Sequence, residues 1–374
     1  NVLSAGITST YNTGWMNGQI KGAFLSDTDD TDLVGGELVT NGTFDTDISG
    51  WSDPTDGRST ASFASGKLRI TNDTGGFGYA YQTISTVVGK TYTVQWEPSA
   101  VGALYTTRVY LGSAVGTANI AASAAAAVTG PQSITFTATT TTTYFAVQVF
   151  VTSVGPTIQM DFDNISVKLA DEDRSVNNNG LIINGTVTRT PVASGADLVA
   201  YGPFSASNYL KQPSNTDLSF GQGDFCFMGW MKPSTADYQM FAETTNDGTT
   251  RRAIFGMYSL GRPWIYTTYS GDSYTYANQP LPLNVWSFLT GVRRNGYLDI
   301  YVNGELVTDV TYNDYGVIRD LGSSGAETFV GVNNSGANNA QLLALLRISA
   351  TAPTAEQIAK IYNDEKVLFQ ENAQ

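Results

Sequence analysis

Histidine is absent from this chain, and cysteine occurs once in 374 residues. The first absence removes Ser–His–Asp triads, Cys–His pairs and histidine-ligated zinc from the chemistry the chain can perform alone. The second excludes an intrachain disulfide, and Cys226, set among Phe225, Phe227 and Met228, is expected to be a buried strand thiol. A eukaryotic secreted module of this size more often carries disulfides, which points toward a bacterial or phage source. Charge is also scarce. Only 14% of residues are charged, the net charge is −13 and no basic cluster occurs, so nucleic acid is a poor partner. No apolar run approaches the length of a membrane span, and no membrane insertion is expected. The chain begins at Asn1 rather than Met, so the lack of a leader at its start excludes nothing upstream.

What is present reads as strand and turn. Glycine numbers 38, aromatic residues make up 11%, and Thr, Ser and Asn are abundant. That is the profile of extracellular all-β modules, and the length allows two or three real cores. The sharpest local signal is Asn284–Val307, NVWSFLTGVRRNGYLDIYVNGELV. Asn295-Gly296 and Asn303-Gly304 supply the positive φ that type I′ hairpin turns require. Between them Leu298, Ile300 and Val302 alternate with Tyr297, Asp299 and Tyr301, so one face is expected to pack and the other to face water.

The spacing divides the chain into three parts. Residues 1–36 form an arm with Trp15, the acidic run Ser26–Asp32 and Gly35-Gly36. Trp15–Leu25 could add a strand or dock on another subunit, and the acidic run reads as a linker. Residues 37–170 read as one jelly-roll sandwich whose opening (Glu37–Trp51) and closing (Met160–Leu169) segments lie side by side. Within it, Ala121–Ala127 fits a short helix, or equally well a loose loop or extended edge. A short polar joint, Ala170–Arg174, leads into residues 171–374. This second sandwich is followed by a short helix with Thr354 as N-cap, Glu356 or Gln357 near its third position, and Ile358, Ile361, Tyr362 and Leu368 near one face. The expected fold is all-β: two antiparallel β-sandwich (jelly-roll) domains in tandem, with an N-terminal arm and a C-terminal helix.

These motifs carry three resemblances. The order Trp286, strand, Asn-Gly, strand, Asn-Gly, strand resembles the centre of a laminin-G-like, concanavalin-type lectin domain, which implies sugar or glycoprotein binding far more often than catalysis. Asn41, Gly42, Phe44, Asp45, Gly50 and Trp51, with Asp163–Val167 at the other end, resemble the brackets of jelly-roll carbohydrate-binding modules. As a whole the chain resembles virion structural proteins of marine tailed bacteriophages, through YNTGWMNGQIKGAFLSDTD, DRSVNNNGLIINGTVTRTPVASGADLVAYGPFSASNYL and LLALLRISATAPTAEQIAKIYNDEKVLFQENAQ. That resemblance implies a homo-oligomeric tail-fibre or capsid-decoration protein on the virion surface. It would bind host cell-surface glycan and attach to other virion proteins through residues 1–36. Relatives of this kind often run on past the final helix, so the end at Gln374 is compatible with truncation, cleavage or a shorter variant. A bacterial secreted adhesin, or a stabilising cement with no ligand, fits the same modules.

Candidate site residues follow from chemistry. Sugars stack CH faces on aromatic rings while their hydroxyls take planar polar partners. The tyrosine-rich stretch offers Tyr258, Arg262, Trp264, Tyr266, Tyr269, Tyr274 and Tyr276 as ligand-binding residues, with Arg251 and Arg252 nearby. In the first sandwich Phe77, Tyr79 and Tyr81 share a strand face, with Trp96 close in sequence. Trp51, Trp230 and Trp286 are expected in cores. Calcium is the one cofactor expected, as a structural ion; the carbohydrate-binding-module resemblance places it at Asp45, Asp163 and Glu37, though turn-forming and backbone-bonding roles account for these acids equally well. Asp173, Asp224, Asn333 and Asn334 could line a loop site, or serve as ordinary turn formers. The E-x-D-x-E and E-x-D-x-x-E patterns of concanavalin-type glucanases do not occur, so no enzyme activity is expected.

Overall fold

The computed structural model describes residues 19–53, 59–72, 76–103, 105–151, 157–246, 250–309 and 319–374. Two units emerge: residues 36–170, and residues 1–35 together with 171–374. The first is thus inserted within the sequence of the second. Trp15 and the rest of the arm before Gln19 lie outside the described residues.

The lectin-like unit opens with β1 (Ile20–Phe24) and β2 (Leu33–Gly35). The inserted unit follows with β3 (Ser59–Phe63), β4 (Leu68–Asn72), β5 (Gly76–Ser85), β6 (Thr91–Ala100), β7 (Thr106–Gly112), β8 (Ala121–Ala122), β9 (Gln132–Thr137), β10 (Thr142–Val151) and β11 (Ile158–Asp171). The chain then resumes the lectin-like unit with β12 (Leu181–Val187), β13 (Arg189–Pro191), β14 (Val199–Tyr201), β15 (Tyr209–Asn215), β16 (Phe225–Lys232), β17 (Gln239–Thr245), β18 (Arg252–Met257), β19 (Pro263–Thr268) and β20 (Asp272–Tyr276). It ends with β21 (Ser287–Arg294), β22 (Tyr297–Val302), β23 (Glu305–Leu306), β24 (Ala326–Val330), β25 (Leu342–Ser349) and the helix α1 (Ala355–Glu365). The all-β expectation holds.

In the inserted unit, β3-β4-β11-β6-β9 and β5-β10-β7-β8 form two antiparallel sheets. Phe44, Trp51, Val94, Trp96, Phe145 and Phe162 fill the core. Opening and closing segments do lie side by side, through Leu38 N–H to Val167 O (3.0 Å) and Ile165 N–H to Gly42 O (2.9 Å). A Cβ at position 42 would sit 1.9 Å from the Ile165 oxygen, so the Asn-Gly of the opening motif is a steric necessity. The alanine run is an extended edge, with Ala121–Ala122 on β7 and Ala126 bridged to Thr107.

In the lectin-like unit one sheet runs β13-β14-β25-β16-β21-β22-β23, with β1 added on β25. The other runs β20-β19-β18-β17-β24-β15-β12, with β2 added on β12. Phe225 and Phe227 meet Phe241 and Phe255 between the sheets, with Phe227 and Phe255 stacked at 6.4 Å. Each such ring contributes roughly 1.5–3 kcal/mol by burial. Opposite Phe255, a Cβ at Gly291 would come within 2.5 Å of the ring. Both Asn-Gly turns carry the expected positive φ: 50° and 87° at Asn295-Gly296, 51° and 85° at Asn303-Gly304.

Alternation fails where both faces of the first sheet are covered. Cys226, Met228, Trp230 and Tyr301 turn away from the inter-sheet core and are buried with Ile358 and Ile361 of α1. Tyr301 is therefore not solvent-facing, and Trp230 packs beneath the helix against Tyr362 and Phe369. Trp286 is half-buried, packed on Phe369, with its indole N–H donating to Val192 O (2.9 Å). Burial pushes the Cys226 thiol far up, as an inert strand cysteine requires. Thr354 caps α1 in a capping box with Gln357.

The arm and the polar joint need correction. Described residues 19–35 belong to the lectin-like unit, and the acidic run is no free linker. Arg189 pairs with Asp27 (2.5 Å) and Asp29 (3.2 Å) and donates to Thr31 O. In the joint, Asp173 accepts from the backbone N–H groups of Ala23, Ser175 and Asn179. Asp171 accepts from Leu25 N–H (3.0 Å) and the Tyr201 hydroxyl (2.9 Å). Short hydrophilic spelling concealed buried clasps for β1.

Burial raises the Asp171 carboxyl to about 6 against backbone and Tyr201 hydrogen bonds that favour its charged form. The native state therefore holds this proton more tightly than the unfolded chain does. Its contribution to stability is full below the ordinary carboxylate range and is lost as pH rises through about 6. The loss is on the order of 3 kcal/mol. Urea melts of wild type and Asp171→Asn between about pH 4.5 and about pH 7 test this. The variant is expected to lack that share of the decline; parallel curves would refute it.

Candidate functional site

The outer faces of the two sheets in the lectin-like unit are treated differently. One is covered by α1 and the residues after it. The other carries aromatic rings. Register places Trp264 on β19 opposite Gly256 and Tyr276, and Tyr266 opposite Ile254 and Tyr274. Side chains two apart on a strand share a face, so Trp264, Tyr266, Tyr274 and Tyr276 all point outward. Tyr258 follows β18 directly. Trp264 is buried at the centre, with Met240 and Ile254, and Tyr266 and Tyr276 pack half-buried around it.

Ring contacts are continuous across this face. Trp264 lies 5.5 Å from Tyr258 and 5.3 Å from Tyr266. Tyr276 lies 5.3 Å from Tyr258 and 5.6 Å from Tyr274. Tyr258 is 38% exposed and Tyr274 36%. Burial raises the hydroxyls of Tyr238 and Tyr266 above their usual range, so both remain neutral donors and acceptors at physiological pH. The Trp264 indole N–H has no acceptor among the described residues. A buried donor left so costs about 1–3 kcal/mol, and the Trp96 indole in the core of the inserted unit stands in the same state.

Two members escaped the sequence reading. Tyr238 stands 5.2 Å from both Tyr258 and Trp264, in the middle of the array. Its signal was alternation with Met240 just before β17, hidden by the turn-like residues ahead of it. Leu260, beside Tyr258, is 78% exposed with φ 65°, a strained backbone for leucine.

The arginines do not present free charge to this face. Arg262 donates to Asp309 (2.7 Å) and to Ala277 O, with its guanidinium 5.5 Å from the Tyr276 ring centre. Arg252 is bidentate to buried Glu243. Tyr269 lies apart at the β19–β20 turn, under Arg251 at 4.2 Å. Asp272, exposed, accepts from the Tyr266 hydroxyl at 2.7 Å.

The remaining candidates separate. In the inserted unit Phe77, Tyr79 and Tyr81 do share an outer face, joined by Phe150, Tyr110 and Arg108. Trp96 is instead in the core. Glu37, Asp45 and Asp163 are not gathered: among the described residues no three acidic, cysteine or histidine side chains form a group able to hold a metal. Glu37 instead clasps the seam, accepting from Val167 N–H (2.8 Å) and Ser166 Oγ (2.6 Å). Asp45 accepts from the Thr43 hydroxyl, and Asp163 from Asn164 N–H. The loop-site set has turn roles: Asp224 accepts from Asn295 N–H, Asn333 caps its own loop, and Asn334 N–H donates to Glu243.

Comparison with known proteins finds one family match, within the lectin-like unit. Residues 204–359 match a laminin-G family model described as the concanavalin A-like lectin/glucanases superfamily. Among solved structures, the chain is similar to domain 4 of AbnA, a GH43 extracellular arabinanase from Geobacillus stearothermophilus in complex with arabinotriose. The identity is 17%, over 51% of this chain and 92% of that one, with TM-score 0.42. It is similar to the binding domain of Paraclostridial Mosquitocidal Protein 1 at 14% identity, over 52% of this chain and 49% of that one, with TM-score 0.40. A CBM4 structure shares 19% identity over 35% of this chain and 99% of its own, with TM-score 0.29. No curated protein sequence matches the chain. Among the described residues no helix is long and apolar enough to cross a membrane.

Proposed function

We propose that this chain is a non-enzymatic attachment protein that binds host surface polysaccharide on the outer face of its lectin-like sandwich. The observation that carries the reading is the continuous ring array from Tyr238 to Tyr274, with exposed Tyr258 and Tyr274 on one sandwich face while α1 closes the other. An aromatic surface of this kind offers ring faces to sugar CH groups and neutral hydroxyls to sugar hydroxyls. The sequence resemblance to virion proteins of tailed bacteriophages supports display on a fibre or capsid, as a homo-oligomer joined to other virion proteins near its N-terminus. The aromatic face around Tyr79 would offer a second contact of the same chemistry. The carbohydrate-binding-module resemblance alone supports a structural calcium, which would be held by a single carboxylate such as Asp45 or Asp163 with turn carbonyls rather than by three acids together.

A glycan array with the full chain, run with and without chelator, tests the reading. Binding to a surface polysaccharide class is expected, and sensitivity to chelator would register the calcium. Absence of binding to every glycan by correctly folded protein would overturn it.

A further inference from the structure

Resting on the glycan-binding reading, we infer that the polysaccharide recognised by the tyrosine face is uncharged, and that the Arg252–Glu243 pair excludes acidic glycans. An acidic sugar is ordinarily captured by an arginine fork meeting its carboxylate or sulfate bidentately. On this face that fork is already occupied. Arg252 Nε reaches Glu243 Oε1 at 2.7 Å and Nη2 reaches Oε2 at 3.0 Å.

Glu243 is 0% exposed, and it also accepts from the Asn334 N–H at 3.2 Å. Taking Arg252 away for a ligand would strand a buried carboxylate, a strongly unfavourable exchange. Arg262 is likewise held by Asp309, and Lys211 by Glu327 at 2.7 Å. Arg251 and Arg319 lie at the Tyr269 turn, one stacked on that ring, the other donating to Ser270 O and Asp272 O. Exposed Asp272 then adds a negative charge beside Tyr266 and Tyr274. The net charge of −13 opposes a polyanion further. Ring faces and neutral phenols remain, which suit hexose or pentose units without carboxylate or sulfate.

The test is titration of the full chain with uncharged polysaccharides (glucan, mannan, arabinan) and acidic ones (alginate, polygalacturonate, a sulfated galactan). Wild type is expected to bind an uncharged polymer, with Kd changing less than about twofold between about 0.05 and about 0.5 M salt. Glu243→Gln, checked for folding by circular dichroism, releases the fork and is expected to gain about tenfold or more for an acidic polymer at low salt. The salt series on wild type stands even where that variant fails to fold. Salt-sensitive preference for an acidic polymer, abolished by Tyr274→Ala, would overturn the inference and leave the glycan-binding reading standing. Binding to neither class would overturn both.

Discussion

Glu365→Ala lowers the stability of the lectin-like unit by about 3–5 kcal/mol. Glu365 is fully buried at the end of α1, where it accepts from the Trp230 indole N–H at 2.9 Å and pairs with Arg347 of β25. Burial pushes its carboxyl up while Arg347 opposes that shift, so the ion pair is what keeps the charge tolerable. Alanine leaves the Arg347 guanidinium buried without its carboxylate and the Trp230 donor without that acceptor. Both losses act on the sheet that α1 covers, so the helix should loosen first. Urea unfolding of the variant measures the cost. An isosteric apolar replacement of both partners, Glu365→Leu with Arg347→Met, should recover most of it, because no charge is then stranded. A single-variant loss below about 1 kcal/mol would show that water reaches the pair.

On the glycan-binding proposal, Tyr258→Ala combined with Tyr274→Ala is expected to weaken polysaccharide binding by about two orders of magnitude. Each ring is an exposed anchor joined to the array through Tyr276, and truncation of one is worth about 1.4 kcal/mol. Being surface groups, both should change unfolding free energy by no more than about 1 kcal/mol together. Trp264→Ala is the informative contrast. Trp264 is 5% exposed and contacts Tyr238, Tyr258 and Tyr266, so its removal costs stability as well as binding. Titration calorimetry beside melting curves separates the two effects. Unchanged affinity in the double variant would remove the array from the binding site.

How much of this was legible varies by residue, and the pattern is physical. The hairpins at Asn295-Gly296 and Asn303-Gly304 were readable because positive φ at two successive positions is a local demand. The helix after Thr354 was readable because capping and 3.6-residue periodicity are local too. Glu37, Asp45 and Asp163 were grouped through resemblance, yet whether three carboxylates converge depends on loop paths that no local rule determines. Arg262 was chosen for its residue type, and only the chain around Asp309 reveals that it is already paired.

By itself, the sequence determined the all-β class, the two sandwiches, the turns, the buried thiol and the exclusion of histidine chemistry, since composition and short-range backbone preference govern each of these. The tertiary structure alone decided that residues 19–35 join the lectin-like unit, that Asp171 and Asp173 are buried clasps, and that α1 covers one sheet face. It alone brought Tyr238 among the tyrosines and joined Arg252 to Glu243. Those outcomes depend on which strands become neighbours, and pairing across many residues is set by the burial of the whole core rather than by the identity of any short segment.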